Sequence, residues 1–388
     1  MNPDSSARVS STQQFLANYW DILGGIIFLG LTLLLHFSHQ TELSTLTSAI
    51  AIIFFSITVS EVAEILADRL GEPYGSYVLT ITAVAVEIIL LFNIMLQSTN
   101  SPEAMETVKG GIISAVIVDM NVLLGLAVFI GGLSFTEQQH NEDTSSSYTT
   151  ILYVSSLALL VPSILGTSGD HDMNTIETAS YLIGGLLFSF YLVILVFQTK
   201  THTHFFKSTA RSRMFRFKQR QEEGIAEEEV HHNYLFDNIS TLLNFFAIFI
   251  LIALIGILAE IFAHDGLKLF KEFGISAGLA GLTIAIISVS PEIFTAIRAA
   301  KNDQIQRVVN IAMGASTVSI LITVPALLIL GYASGNHLTL NFNPLEIGAL
   351  VFTILLAWKT TDDGETNYFE GISHMMLFLA YAVIAGLY

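Results

Sequence analysis

Cysteine is absent from the chain, which excludes disulfides, thiolate metal sites and thiol catalysis. Charged residues are also scarce, at 13% of 388 residues, whereas 52% are hydrophobic. The apolar residues form long runs separated by short polar loops, as in proteins that cross a membrane many times. Neither an HExxH zinc helix nor a phosphate-binding loop is present. We therefore expect a transporter in the lipid bilayer, with no nucleic-acid partner, rather than an enzyme.

Eleven apolar segments are long enough to span a bilayer as helices. The predicted fold is an all-α polytopic membrane protein. The spans lie near residues 19–37, 44–67, 76–97, 109–133, 150–167, 179–198, 239–263, 274–298, 306–332, 344–358 and 371–387.

The distribution of lysine and arginine predicts the orientation of these spans. The first apolar run lacks a small-residue cleavage site, which favours a retained helix over a signal peptide. With a cytoplasmic N-terminus, thirteen of the 16 basic residues fall on the cytoplasmic side. Most of them lie in a charged loop after the sixth span. We expect an N-terminal tail and first helix (1–43), a first five-helix repeat (44–199), a cytoplasmic linker (200–238) and a second repeat (239–388).

A duplicated acidic motif supports this division. Ala63-Glu64-Ile65-Leu66-Ala67-Asp68 recurs as Ala259-Glu260-Ile261-Phe262-Ala263-His264, and the next span in each half carries Glu87 or Glu292. Because each half has five spans, the repeats insert in opposite orientations. A duplicated, inverted arrangement of intramembrane acids is typical of secondary transporters.

Glu87 and Glu292 are the leading candidates for cation and proton binding. A charge at the bilayer centre costs roughly 2.5 to 3.5 kcal/mol, so an intramembrane carboxylate favours function over structure. Oxygen ligands suit Ca²⁺ or Na⁺, and protons compete for the same carboxylates. Pro291 predicts an interruption of the eighth helix beside Glu292. Neighbouring hydroxyls and one further acid complete the predicted site, namely Thr80, Ser288, Ser316, Ser319 and Asp119, although Asp119 equally suits an interhelical hydrogen bond.

A second group of residues is predicted at the two entrances. Glu64 and Asp68 share a helical face near the cytoplasmic mouth, and Glu260 and His264 share one near the outer mouth. They are candidates for access or proton relay, although Asp68 and His264 equally suit plain interfacial positions. The linker offers a possible regulatory cation site at Glu227, Glu228, Glu229, His231 and His232, for which a solvated charge run is the simpler interpretation.

Motifs in both halves resemble those of bacterial calcium/proton antiporters in the cation/Ca²⁺ exchanger superfamily. The first half carries Leu66-Ala67-Asp68-Arg69-Leu70-Gly71-Glu72-Pro73-Tyr74-Gly75-Ser76 before Glu87. The second carries Ser290-Pro291-Glu292, then Asn302, Gln304, Gln306, Arg307, Asn310, Gly314 and Thr323-Val324-Pro325. The resemblance implies eleven helices and alternating access around two glutamates, which match Glu87 and Glu292.

The resemblance also leaves the transported ion open. The superfamily pattern has an asparagine before each central acid, whereas this chain has Ala83-Val84-Ala85-Val86 and Ser288-Val289-Ser290-Pro291 there. Fewer amide oxygens weaken the case for Ca²⁺ and favour Na⁺ or K⁺. The leading expectation is Ca²⁺ export in exchange for protons, with Na⁺ or K⁺ exchange as the alternative. Ca²⁺ is substrate, no cofactor is expected, the oligomeric state stays open, and the resemblance implies a bacterial inner membrane.

Overall fold

The computed structural model describes residues 11–71, 74–99, 101, 103–167, 172–207 and 235–387. Within these ranges eleven helices are long and apolar enough to cross a membrane, which confirms the predicted number. They are α1 Ser11–Phe37, α2 Thr41–Leu70, α3 Tyr74–Leu96, α4 Glu103–Ser134, α5 Glu142–Thr167, α6 Met173–Thr201, α7 Thr241–Glu272, α8 Ala277–Lys301, α9 Ile305–Ser334, α10 Pro344–Thr361 and α11 Tyr368–Leu387.

Polar caps determine where several helices of the second half begin. Ser240 and Ser276 accept backbone N–H bonds in the first turns of α7 and α8. Asn343 and Glu346 form a capping box at the start of α10, with Pro344 as its first residue. These caps satisfy donors that the lipid region could not hydrate. In the first half, α2 begins at Thr41, slightly before the predicted boundary at residue 44.

Helices from the two halves pack directly on one another. The most extensive contacts join α2 to α7 and α4 to α8, while α1 packs on the outside of α2. At the α4–α8 crossing, a Cβ on Gly281 would stand 2.5 Å from the backbone nitrogen of Gly111. Only glycine permits this backbone approach, which is a common basis for helix association in membranes.

Three helices contain a π-helical turn, at Val118–Leu124 in α4, at Phe197–Thr201 at the end of α6 and at Ser319–Thr323 in α9. Such turns interrupt regular geometry and often mark functional sites. In α9 the turn precedes Pro325, which has no N–H to donate to the preceding turn. By contrast, α8 continues through Pro291 without a break. The predicted interruption at Pro291 is therefore wrong, and the irregular turns lie in α4, α6 and α9 instead.

The helix ends beside the charged loop are tied together by polar contacts. Strand β1 (Gln138–Gln139), after α4, pairs antiparallel with strand β2 (Glu365–Thr366), after α10. The Arg69 guanidinium at the end of α2 donates to the carbonyls of Phe236, Asp237 and Ile239. These contacts connect the first half to the second on this face.

Candidate functional site

A cavity of about 650 Å³ penetrates the helix bundle. Its deep part is lined by Glu87 of α3, Asp119 of α4 and Glu292 of α8. At the other end it reaches exposed Asp68, at the end of α2, and exposed Lys207, just beyond α6. The cavity therefore connects acids from both halves to the face that carries the charged loop.

Glu87 is held by two hydroxyls from α9. Its Oε2 accepts hydrogen bonds from Ser319 Oγ at 2.9 Å and Thr323 Oγ1 at 2.8 Å. Both donors lie at the ends of the π-helical turn of α9. The residue is 7% exposed, so these bonds replace water around Oε2. Its Oε1 has no hydrogen-bond partner among the described residues and remains available to a ligand.

Asp119 repeats this arrangement of one bonded and one unbonded oxygen, and Glu292 also has a buried oxygen without a partner. Asp119 is 1% exposed, and its Oδ2 accepts from Ser316 Oγ at 3.1 Å. Asp119 Oδ1 and Glu292 Oε2 are buried without a hydrogen-bond partner in the described part of the chain. Glu87 and Glu292 both interact electrostatically with Asp119. Three acids thus share one low-dielectric region, where like charges repel strongly unless a proton or cation neutralises them.

The remaining hydroxyls predicted for the site fall into two sets. Thr80 and Ser288 line the cavity, as does Ser319. Ser316 does not line the cavity, and its hydroxyl donates to Asp119 instead. Within the described ranges, no group of three or more histidine, aspartate or glutamate side chains is arranged to hold a metal ion. The carboxylates therefore lie around a shared space without forming a closed ligand cage, and their predicted roles stay predictions.

The predicted entrance residues of the first half lie at the cavity mouth. Glu64 and Asp68 both line it, and Glu64 Oε1 accepts from Arg307 Nη2 of α9 at 2.5 Å. The side chains of Glu64 and Arg307 are 37% and 47% exposed, so this ion pair adds little to stability. Both residues line the cavity, so the Arg307 guanidinium competes with an entering cation for the Glu64 carboxylate.

Their counterparts in the second half lie away from the cavity. Glu260 and His264 are exposed, and His264 Nδ1 lies 2.9 Å from Asp265 Oδ1. Asp265 also accepts from Ser44 Oγ at 2.7 Å, which ties α7 to α2. The predicted relay role of Glu260 and His264 stays a prediction. The possible regulatory residues Glu227, Glu228, Glu229, His231 and His232 lie outside the described residues.

Several cavity residues escaped the sequence analysis. Ser56 and Ser60 of α2, Tyr148 of α5, and Tyr191 and Gln198 of α6 all line the cavity. The tyrosines and the glutamine carry no local pattern that separates them from ordinary packing residues. The serines do, because Ser56, Ser60, Glu64 and Asp68 follow one another at intervals of four, which places them along one face of α2.

Comparison with known proteins agrees with this architecture. The family described as "Sodium/calcium exchanger protein" matches residues 14–200 and 243–387. The "Sodium-potassium/proton antiporter ChaA" of Escherichia coli (strain K12) is 27% identical over 87% of each chain. The "Ca(2+)/H(+) antiporter" of Aphanothece halophytica is 26% identical over 94% of each chain. The solved structure of native YfkE superposes with a TM-score of 0.76, at 18% identity, covering 95% of this chain and 100% of that one.

Proposed function

Because the chain belongs to the sodium/calcium exchanger family, we propose that it is a secondary active antiporter that exports Ca²⁺ in exchange for protons. One observation carries the proposal. A single cavity opens toward one face and brings together Glu87 from the first half and Glu292 from the second, each with a buried oxygen available to a cation. The relative described as a Ca²⁺/H⁺ antiporter supports the choice of ion.

In the proposed cycle, protons and the cation compete for the same carboxylates. A buried carboxyl without a counter-charge favours its neutral, protonated form, whereas a bound cation favours the ionised form. Loading the cation therefore releases protons. If two protons exchange for one Ca²⁺, each pH unit supplies ~2.7 kcal/mol, enough for a roughly hundredfold Ca²⁺ gradient. The bilayer separates the two faces, and no cofactor takes part.

The proposed orientation places the cavity mouth in the cytoplasm. The cavity reaches Lys207, where the charged loop begins, and the sequence predicts that this loop and most lysines and arginines are cytoplasmic. The N-terminus is then cytoplasmic, Glu64 and Asp68 lie on the inner route, and Glu260 and His264 belong to the outer route. With relatives in Escherichia coli and Aphanothece halophytica, we place the protein in a bacterial cytoplasmic membrane.

A monovalent cation/proton antiporter is the second candidate. The relative described as a sodium-potassium/proton antiporter favours it. So does the absence of asparagine ligands before Glu87 and Glu292, since Ca²⁺ requires more hard oxygen ligands than these two positions supply. The two candidates share the scaffold and the central acids, and differ only in the ion that displaces the protons.

The deciding experiment follows proton movement in everted membrane vesicles that are acidified inside. Adding micromolar Ca²⁺ to wild type should dissipate the gradient, and Glu87→Gln or Glu292→Gln should abolish the response. Glu272→Gln, an exposed acid at the end of α7, is the matched control and should behave as wild type. A response to Na⁺ or K⁺ alone selects the second candidate. Silence toward all three ions, or full activity in both central variants, contradicts antiport at this site.

A further inference from the structure

Buried oxygens without a hydrogen-bond partner concentrate around the cavity. Four such atoms in the described chain belong to residues that line it, namely Ser56 Oγ, Glu87 Oε1, Asp119 Oδ1 and Glu292 Oε2. Leaving one buried polar atom unsatisfied costs about 1 to 3 kcal/mol, so native structures keep such atoms chiefly where an ion, a water or a catalytic role needs them. Three of the four are carboxylate oxygens of the acids already described. The fourth belongs to a serine.

Ser56 is unusual among the buried serines of the described helices. Eleven of the thirteen have a hydrogen-bond partner, and in six of them it is a carbonyl of the same helix, as Ile151 O is for Ser155 at 2.7 Å; the other exception is Ser156. Ser56 is 1% exposed and lines the cavity, yet its hydroxyl makes no hydrogen bond to any described residue. Burial therefore leaves a hydroxyl group that is not bonded to the backbone, on a residue that lines the cavity.

The depth of Ser56 matches that of the central acid. At 1.5 Å per residue, Ser56 lies about 20 Å from the end of α2 at Leu70. Glu87 lies about 20 Å from the start of α3 at Tyr74, on the same face of the protein. Ser56 and Glu87 therefore lie at a similar depth, well away from the mouth. The helix that carries Ser56, α2, also packs against both α3 and α8, which carry Glu87 and Glu292.

We propose that Ser56 Oγ is an additional oxygen ligand of the transported cation, contributed by α2 beside Glu87 and Glu292. This inference rests on the proposed function. A serine hydroxyl has two lone pairs and offers a hard cation a neutral oxygen. It adds coordination without adding charge, so it partly replaces the missing asparagine oxygens. The corresponding position of α7, in the alignment of the repeated hexapeptide, is Ile252, which makes Ser56 a contribution of the first half alone.

Three serine variants test this role. Ser56→Ala removes the oxygen, and Ser56→Thr keeps it. Ser156→Ala is the matched control, because Ser156 Oγ of α5 is likewise buried without a partner among the described residues but lies outside the cavity. The readouts are half-saturating Ca²⁺ in everted vesicles and equilibrium binding of Ca²⁺ to purified protein in detergent, with the melting temperature in the absence of Ca²⁺ as a check on folding.

Ser56→Ala should raise half-saturating Ca²⁺ by about tenfold in both assays, as the loss of one good oxygen contact predicts. Ser56→Thr and Ser156→Ala should stay within about twofold of wild type. An unchanged Ca²⁺ affinity in folded Ser56→Ala, or an equal loss in Ser156→Ala, would overturn the proposal while leaving antiport intact. Wild-type protein that neither binds nor exchanges Ca²⁺ would overturn Ca²⁺ antiport, and with it this role for Ser56.

Discussion

Glu87 shows how one side chain in this protein is both held and left available. Two hydroxyls from α9 satisfy Oε2, while Oε1 is buried without a hydrogen bond to the described residues. The bonded oxygen fixes the orientation of the carboxylate, and the other oxygen keeps its capacity for a proton or cation. Ser319 and Thr323 thus position Glu87, and they connect the acid of the first half to a helix of the second.

Removing these hydroxyls should impair exchange without unfolding the protein. A hydrogen bond to a charged group is worth roughly 1.5 to 3 kcal/mol, so Ser319→Ala or Thr323→Ala should each lower exchange at subsaturating Ca²⁺ by about tenfold. When Glu87→Gln is already present, adding Ser319→Ala or Thr323→Ala should cause no further loss of exchange. Thr317→Ala is the control, since Thr317 donates only to Met313 O of its own helix. Wild-type rates in both variants would show that Glu87 needs no positioning.

Two kinds of short element link the first half of the chain to the second. The π-helical turns of α4 and α9 contain Asp119 and Ser319, which correspond when Gly131 is aligned with Gly331. The two-residue strands β1 and β2 join loops from opposite halves, and the backbone N–H of His140, just after β1, donates to Gly364 O at 2.8 Å. His140 is 4% exposed, and its Nε2 lies 3.2 Å from Ser145 Oγ.

Acid should therefore loosen the junction at β1 and β2. Burial lowers the pKa of His140 to about 4, below its usual 6.5, so the folded protein holds the ring neutral. The unfolded protein takes up a proton on this ring near pH 6.5 and the folded protein only near pH 4. The free energy of unfolding is therefore highest above pH 6.5 and falls by about 3 kcal/mol in all as the pH drops toward 4. The melting temperature of purified wild type should fall more steeply from pH 7 to 4.5 than that of His140→Gln.

An exposed histidine provides the comparison for that experiment. His39 lies in a loop with a φ of 57°, a left-handed conformation that asparagine also adopts readily. His39→Asn should follow the wild-type pH profile closely. Parallel profiles for wild type and His140→Gln would show instead that the acid sensitivity arises elsewhere.

Across the whole molecule, the cavity is open toward one face and closed toward the other. The closed side includes the α4–α8 crossing, where Gly281 lies against the backbone of Gly110 and Gly111. It also includes Ser114 of α4, fully buried, with Oγ 3.2 Å from the hydroxyl of Tyr381 on α11. Ser114 corresponds to Gly314, which lines the open cavity. We expect the two predicted repeats to exchange conformations, which should expose Ser114 when the opposite face opens.

Introduced thiols test this exchange directly, because the chain has no cysteine of its own. A membrane-impermeant thiol reagent applied from the loop face should label Ser60→Cys, in the cavity wall, and leave Ser114→Cys unmodified. Applied from the opposite face, it should label Ser114→Cys at least about fivefold faster while an ion gradient drives exchange, since buried sites react only when opened. Labelling of Ser114→Cys from the loop face would contradict alternating exposure.

Sequence reasoning reached the eleven helices because lipid requires each span to be long and apolar, a signal that is local in the chain. It also predicted Glu87 and Glu292 as binding residues, since charged groups in such runs are rare; both line the cavity, and their binding role stays a prediction. It erred at Pro291, because local propensity does not decide where a packed helix deforms. Sequence reasoning did not predict the contacts between residues that are distant in the chain. The hydroxyls on Glu87 come from residues more than two hundred positions away, and the Arg307–Glu64 pair is equally distant.

The amino-acid sequence by itself determined the membrane class and the number of spans, and it predicted the two repeats and the pair of central acids, because composition, period and repetition can be read directly along the chain. Only the tertiary structure decided which oxygens of those acids are bonded, that Ser56 lines the cavity while Glu260 does not, and which face the cavity reaches. The physical reason is that burial and hydrogen bonding depend on how separate helices pack. Helical spacing shows which residues share a face, but not what that face meets.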